Sequence, residues 1–252
     1  MIYTNFALIY DRLMQDIPYQ GWVSYLGRMF GKHGINPGHI LDVGCGTGNV
    51  TIPLAETGFR ITGLDMSPEM LSLAEQKARA KGLSIEWLQQ DMRKMETGSS
   101  KFDMVISMTD SLNYMSGDRE LEEVFRKVKQ CLKPGGWLIF DLNSQYKLSR
   151  VFGNNTFTLV EDDISYIWEN FYDPETHSCT MDLTFFVREQ DGRYRRFTER
   201  HRETGYTVAA INNLLDKAGF SVAAVYAENS FDAPVETTER IYFAACSNAE
   251  DK

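Results

Sequence analysis

The segment Leu41-Asp42-Val43-Gly44-Cys45-Gly46-Thr47-Gly48 decides the fold of this chain. It leaves an apolar strand, passes an acidic residue and places three glycines at alternate positions. A turn from a strand into a helix needs glycine because it bends tightly, and because a Cβ would keep a ligand away from the backbone. The G-x-G-x-G spacing differs from the G-x-G-x-x-G of dinucleotide-binding proteins, so it predicts no pyrophosphate. Asp42 would repel a phosphate and attract an ammonium, which indicates a nucleoside that carries an amino acid.

This segment resembles motif I of the class I methyltransferases that use S-adenosylmethionine (SAM). The resemblance implies that Asp42 faces the methionyl ammonium of SAM, and that the backbone of Gly44, Cys45 and Gly46 passes under the ligand. It also implies S-adenosylhomocysteine as the product. Taken alone, the motif leaves open a glycine-rich turn of some other nucleotide-binding fold.

The bulk composition excludes several classes of protein. A chain of 252 residues is long enough for one large α/β domain, or for a core domain with an insert. A formal net charge of -9 argues against a surface that grips nucleic acid. No apolar run approaches about 20 residues, so we expect neither a membrane span nor a secretory signal. The four scattered cysteines indicate reduced thiols in a cytoplasmic protein, and the histidines have no zinc-binding spacing.

Strand and helix patterns alternate between residues 39 and 142, as βαβ units require. The clearest helix carries apolar residues at helical spacing from Leu121 onward. The alternation predicts a Rossmann-like α/β fold whose sheet has seven strands, most of them parallel. Residues 1–149 and 204–252 would form this core, with residues 1–35 as a helical cap at its N-terminal end.

The pattern changes near residue 150. Residues 156–203 alternate with period two, and Asp191-Gly192 is a strong sequence for a hairpin turn. We therefore expect residues 150–203 to form an inserted antiparallel β lid of three or four strands over the site of the methyl acceptor.

Further segments extend the resemblance along the chain. Lys133-Pro134-Gly135-Gly136 and the segment from Leu214 to Phe220 look like standard landmarks of class I methyltransferases. The aromatic N-terminus resembles small-molecule methyltransferases similar to glycine/sarcosine and sugar N-methyltransferases, which carry a β lid at the position of the insert. That resemblance implies that Tyr3 and Tyr10 contact the methionyl carboxylate or shield the sulfonium, a cation that aromatic faces attract. Ordinary packing is the alternative. We expect residues 1–30 to cover the cofactor from the side opposite the lid.

Four more residues are predicted to contact the adenosine part of the cofactor. Asp65 lies 23 positions after Asp42, at the end of a predicted strand, where a carboxylate can accept both ribose hydroxyls. The alternative is an acid favoured at a helix start. Met66 either packs on the adenine face or belongs to the core. Asp91 and Met92 match the family position where a carboxylate binds the adenine amine and the next residue covers the ring, with a solvated loop acid as the alternative.

The segment from Ser107 to Tyr114 follows the fourth predicted strand, at the sheet edge where open α/β folds bind ligands. We assign Met108 to the cofactor, and Asp110, Asn113 and Tyr114 to the acceptor pocket, with loop capping as the alternative. The segment lacks the prolines of the Asn/Asp-Pro-Pro-Tyr motif with which base-modifying methyltransferases clamp a flipped base. This absence argues against a typical DNA or rRNA amino-methyltransferase.

The catalytic residue is left open among Tyr10, Asp110, Tyr114 and His201. His201 titrates in the range of a general base, although a lone histidine on a strand is usually structural. Asp110, Asp141 and Asn143 only loosely match the Mg²⁺ site of catechol-type O-methyltransferases, because Leu142 separates the last two, so we predict no metal.

Six arginines between residues 188 and 202 could recognise a carboxylate or phosphate, or could form a solvated hairpin face. The function predicted is methyl transfer from SAM to a small molecule, at nitrogen or oxygen, without nucleic-acid or membrane partners. The alternatives are an RNA methyltransferase, an aminopropyltransferase and a non-catalytic SAM-binding protein. The oligomeric state is left open.

Overall fold

The computed structural model describes residues 7–99 and 101–248. The α-helices of this part of the chain are α1 (Ala7–Leu13), α2 (Tyr19–His33), α3 (Thr51–Glu56), α4 (Pro68–Ala80), α5 (Asp118–Cys131) and α6 (Val208–Lys217). The strands are β1 (His39–Val43), β2 (Arg60–Asp65), β3 (Glu86–Gln89), β4 (Phe102–Ser107), β5 (Leu132–Asn143), β6 (Thr156–Val160), β7 (Ile164–Asp173), β8 (Ser178–Arg188), β9 (Tyr194–Thr204), β10 (Phe220–Ala227) and β11 (Arg240–Ser247). Short 3₁₀ turns cover Met92–Lys94 and Ser111–Tyr114.

Seven strands form one sheet in the order β10-β11-β5-β4-β1-β2-β3. β11 runs antiparallel to both of its neighbours, β5 and β10, and the remaining pairs are parallel. The predicted Rossmann-like fold is therefore confirmed. The strand order reverses between β1 and β4, and ligands of such folds bind beyond the carboxyl ends of the strands at this point.

Helices bury both faces of this sheet, because its central strands are apolar on both sides. The faces of α5 and α6 that carry Val124, Phe125 and Leu215 pack into one hydrophobic core cluster. α2 and α3 contribute Leu26 and Leu54 to a second cluster. Side chains cap the N-termini of two helices: the hydroxyl of Ser67 accepts a hydrogen bond from the amide of Met70 at the start of α4, and the hydroxyl of Thr207 accepts one from the amide of Ala210 at the start of α6.

Residues 156–204 form a separate four-stranded antiparallel sheet in the order β6-β7-β8-β9, which we call the insert sheet. One face of β8 is buried, as the period-two pattern predicted, with Cys179, Met181 and Phe185 each at most 4% exposed. The hairpin turn at Asp191-Gly192 is exposed, and Gly192 adopts a positive φ of 83°.

The position of α1 differs from the sequence-based expectation. Ile164 and Phe185 of the insert sheet form a core cluster with Ala7 and Ile9 of α1 and with Met70 of α4. The expectation that the N-terminal segment covers the site from the side opposite the insert is therefore wrong for α1. Apolar residues at Ala7 and Ile9 supply a face that the insert sheet buries.

No helix among the described residues is both long enough and apolar enough to cross a lipid bilayer.

Candidate functional site

The glycine-rich turn is fastened to the end of β2. The amides of Gly44 and Cys45 donate to the carbonyl oxygen of Leu64 at 2.7 and 3.0 Å. A Cβ on Gly44 would lie 2.7 Å from Oγ of Ser111, so this position excludes a side chain. Gly46 also has a positive φ, of 54°, and a Cβ there would have no atom within 4 Å. The backbone of the turn thus faces open space on one side, as a cradle for a ligand requires.

Asp42 lies under this turn and is only 1% exposed. Its Oδ2 accepts the hydroxyl of Thr51 at 2.6 Å, and no ion pair joins it to any described residue. Burial, partly offset by the Thr51 hydrogen bond and reinforced by the nearby charge of Asp65, raises the pKa of Asp42 to about 7. A cationic group of a ligand would supply the counter-charge that the described residues do not.

Asp65 ties the glycine-rich turn to the start of α4. Its Oδ2 accepts the amide of Gly46 at 2.8 Å, and its Oδ1 accepts the amide of Ser67 at 2.9 Å. Burial raises the pKa of this carboxyl. The amide of Met66 is a third backbone donor to this carboxylate. The helix-start interpretation therefore describes only part of its bonding, since Asp65 also holds the amide of Gly46 in the glycine-rich turn. Met66 beside it is 59% exposed, which rules out its alternative place in the core.

Asp91 and Met92, the next two predicted residues, have different surroundings in the structure. The guanidinium of Arg93 grips both carboxylate oxygens of Asp91, with Nη2 to Oδ2 at 2.6 Å, and this hydrogen bonding lowers the pKa of Asp91. Asp91 also caps the 3₁₀ turn that follows it. Met92, by contrast, reaches the glycine-rich turn, since its Cε lies 3.5 Å from the position of a Cβ on Gly44.

The segment after β4 also touches the glycine-rich turn. The hydroxyl of Ser111 lies 3.3 Å from the carbonyl oxygen of Gly44 and donates to that of Met108 at 2.9 Å. Thr109 and Asp110 both adopt left-handed backbone conformations, with φ of 62° and 54°. Such strain is tolerated where the surrounding structure holds it, and functional sites are common among such places. The side chain of Met108 is buried in the second core cluster, so its carbonyl oxygen is what meets Ser111.

Arg240 is the largest omission of the sequence-based prediction. It pairs with Asp110 through Nη2 and Oδ1 at 2.6 Å and with Asp141 through Nη1 and Oδ2, and its guanidinium lies 5.3 Å from the ring centre of Trp22. Only 8% of its side chain is exposed. The two carboxylates of the loosely matched Mg²⁺ pattern are thus bound by a guanidinium, and no residues in the described ranges form a group suited to a metal.

The acceptor-side candidates fall into two groups. Asn113 is fully buried. Its Nδ2 donates to the main-chain oxygens of Asn143 and Thr204, and its Oδ1 accepts the main-chain amide of Asn143, so this side chain clamps two strand ends together. Tyr114 and His201 come together, with the Tyr114 hydroxyl 2.9 Å from Nδ1 of His201. Burial lowers the pKa of His201 to about 4, so its ring is neutral at neutral pH.

Near the N-terminus, Asp11 rather than Tyr10 makes the strongest link to the glycine-rich turn. Its carboxylate accepts the hydroxyl of Thr47 at 2.6 Å, the amide of Asn49 at 3.0 Å and the ammonium of Lys77 at 2.7 Å. Tyr10 is hydrogen-bonded to Tyr19, whose hydroxyl also meets Asn49. α1 is therefore fastened directly to the end of the turn. Tyr3 lies outside the described residues.

Comparison with known proteins agrees with this geometry. Residues 40–136 match the family model described as a methyltransferase domain. A protein of Geobacillus sp. (strain WCH70), whose name classes it with the methyltransferases, is 41% identical over 248 residues, covering 97% of this chain and 99% of its own. An S-adenosylmethionine-dependent methyltransferase from Clostridium acetobutylicum is 34% identical, with a TM-score of 0.88 over 98% of this chain and 99% of its own.

A more distant structure, a sugar N-methyltransferase from Streptoalloteichus sp., shares the fold at 20% identity, with a TM-score of 0.76 over 96% of this chain and 92% of its own. The glycine-rich turn and its acids, the strand order and the full-length relatives all lead to one assignment. This chain belongs to the class I SAM-dependent methyltransferases.

Proposed function

We propose that this enzyme methylates a small molecule at nitrogen or oxygen, and that RNA is not its substrate. The observation that carries the proposal concerns the arginine cluster of the insert sheet. Four of these arginines pair with neighbouring acids in the insert: Arg188 with Asp163, Arg193 with Asp191, Arg195 with Glu189 and Arg200 with Asp182. Since nucleic-acid binding needs unpaired positive charge, the pairing removes the main support for an RNA substrate.

The enclosure of the acceptor side supports a small substrate. Tyr114 is half-buried and His201 is 5% exposed, and they meet where β9 of the insert sheet contacts the 3₁₀ turn after β4. The fold shared with a sugar N-methyltransferase adds to this support. We propose that residues 150–203 are a lid over the acceptor, and that residues 1–149 and 204–252 form the SAM-binding core.

The residues of this chain would bind SAM and the acceptor, orient them for reaction and exclude water from the site. When bound, SAM supplies an activated methyl group on a sulfonium. We propose that Asp42 pairs with the methionyl ammonium and Asp65 accepts the ribose hydroxyls, while Met66 and Met92 flank the adenine. Burial of the reacting groups strengthens these interactions, and alignment alone is worth roughly 7–11 kcal/mol in intramolecular models. A base is needed only for an acceptor that enters protonated.

We place the enzyme in the cytoplasm. Cys45, Cys131, Cys179 and Cys246 are all free thiols, which supports a reducing compartment.

The test uses SAM labelled in its methyl group. The protein is incubated with the small-molecule fraction of a cell extract and, separately, with purified total RNA. An Asp65→Ala variant, which should bind SAM more weakly and transfer less label, is the control. We expect label in the small-molecule fraction only. Label in RNA, or in neither sample, would overturn the proposal.

A further inference from the structure

A buried carboxyl lies where the end of β9 meets the end of β5. The side-chain amide of Asn113 donates to the main-chain oxygens of Asn143 at 3.0 Å and of Thr204 at 2.9 Å, which holds the two strand ends together. As a result, Nδ2 of Asn143 donates to Oε2 of Glu203 at 2.8 Å. Both side chains belong to residues that are 3% exposed. Sequence reasoning had identified neither residue as a binding group for the acceptor.

This pair has more acceptor atoms than the described residues satisfy. Oδ1 of Asn143 is buried and receives no hydrogen bond within residues 7–99 and 101–248. No cation in these ranges pairs directly with Glu203, and burial, together with the negative charge of Asp110, raises its pKa to about 8. When Glu203 is ionised, Asn143 must turn its Nδ2 towards it, so Oδ1 necessarily faces away in need of a donor. The pair therefore lacks N–H donors and positive charge.

Asn143 and Glu203 lie close to the segment that contacts the glycine-rich turn. Arg240, which binds Asp110, is the β11 residue opposite Asn143. The residue after Asp110 is Ser111, whose hydroxyl lies 3.3 Å from the carbonyl oxygen of Gly44. Glu203 is two positions after His201 on the same face of β9. Arg240 is paired with Asp110 and Asp141. The charges of Arg240 and Lys147 act on Glu203 from a distance, but no ion pair joins either cation to it in the described residues.

Building on the methyltransferase function proposed above, we propose that the acceptor is a primary or secondary amine, whose nitrogen donates hydrogen bonds to Glu203 and to Oδ1 of Asn143. An ammonium supplies both the missing charge and at least two N–H donors. A hydroxyl supplies a single O–H and no charge, and so would leave one of the two buried groups unsatisfied. This difference in donors favours nitrogen over oxygen.

The proton and the electrons then follow a simple course. A positive charge beside Glu203 favours its ionised form, and the bound ammonium then gives one proton to this carboxylate, which leaves a lone pair on nitrogen. That lone pair forms the N–C bond as the bond from the methyl carbon to the cofactor's sulfur breaks, and the electrons of the broken bond stay on sulfur. The methylated nitrogen carries the positive charge, and it leaves as an ammonium or releases its proton to water.

An experiment with the wild-type protein can test whether the acceptor is an amine, although the substrate is not identified. The small-molecule fraction of a cell extract is divided, and one half is treated with N-hydroxysuccinimidyl acetate and then hydroxylamine, which leaves acetyl groups on amines but removes them from hydroxyls. Each half is incubated with the protein and methyl-labelled SAM. We expect acetylation to abolish the transfer of label. Label that persists would overturn the amine inference alone, whereas label in neither half would overturn the proposed small-molecule function and this inference with it.

Variants of Glu203 test the residue itself. We expect Glu203→Gln to lower the rate of label transfer by about 100-fold or more, since it removes the charge that pairs with a buried cation. Glu203→Asp, which keeps the carboxylate, should recover about a tenth of the lost rate. SAM binding measured by calorimetry should be unchanged in both variants. The control is Glu169→Gln, the same substitution at an exposed position of the insert sheet. A Glu203→Gln protein that is folded and transfers label as fast as the Glu169→Gln protein would refute the assignment.

Discussion

Replacement of Asp42 by asparagine should stabilise the protein without ligand while weakening its hold on SAM. The carboxyl is buried with only the Thr51 hydroxyl as a side-chain partner, and burial raises its pKa from 3.8 to about 7. The folded protein therefore resists ionising a group that the unfolded chain ionises freely. An asparagine keeps an oxygen for Thr51 and carries no charge.

The expected size follows from the pKa. Each pKa unit corresponds to about 1.4 kcal/mol, so ionising Asp42 costs the folded state about 4 kcal/mol more than it costs the unfolded state. The stabilisation due to the protonated carboxyl is complete below pH 4 and is lost as the pH rises through 7, because the folded pKa is the higher one. Between pH 5 and pH 8, the unfolding free energy of the wild type should fall by about 2.5 kcal/mol relative to that of Asp42→Asn.

Urea unfolding at pH 5, 6, 7 and 8 would measure this difference. Any fixed cost of burying the asparagine amide cancels when the same two proteins are compared across pH. Asp162→Asn, which removes a carboxylate at an exposed turn, serves as the control for the loss of one charge. A difference for Asp42→Asn that stays flat between pH 5 and pH 8 would show that Asp42 does not titrate in this range and would refute the reasoning.

The same variant should lose affinity for SAM at pH 8. Removing a charged partner of the methionyl ammonium should cost about 1.5–3 kcal/mol, measured by calorimetry. Stability and affinity would then change in opposite directions. A variant that binds SAM as tightly as the wild type would mean that the ammonium lies elsewhere.

Three further substitutions have distinct expected outcomes. Asp65→Ala should weaken SAM binding by about 1.5–3 kcal/mol in calorimetry, and an unchanged affinity would remove Asp65 from the ribose site. Asp11→Asn, which loses the ion pair with Lys77, should speed hydrogen exchange in α1 while leaving the exchange of β4 unchanged; equal rates in α1 would contradict its fastening role. Asn113→Ala should lower the unfolding free energy by about 3 kcal/mol or more in urea titrations, because it leaves buried main-chain groups of two strand ends without partners, and a loss below about 1 kcal/mol would argue against the clamp.

Much of the fold could be predicted because its determinants are local. The glycine-rich turn, the hairpin at Asp191-Gly192 and the buried face of α5 each depend on residues within one or two turns of chain. Met66 could not be assigned from sequence, because a methionine after a strand suits the core and a ligand equally well. Only its exposure separates the two.

The missed parts of the site depend on contacts between distant residues. Arg240 meets Asp110 from 130 positions away, and no periodicity in the chain relates the two. Glu203 and Asn143 are likewise 60 positions apart. The partner of Asp91 could have been noticed, since Arg93 is two residues away and an aspartate before a 3₁₀ turn commonly caps it. The side on which α1 lies depends on how the insert sheet docks, which no local pattern encodes.

The clamp at Asn113 has an evolutionary consequence. The chain leaves the core sheet at Asn143 and completes its return at Thr204, and one amide side chain joins these two points. Because exit and re-entry are adjacent, a different module with similarly spaced ends could be spliced in without redirecting any strand of the core. If the insert is the lid proposed above, new acceptor chemistry could arise by exchange of this module while the core sheet is inherited intact. Chimaeras that join the chain at these two residues would transplant the insert between relatives.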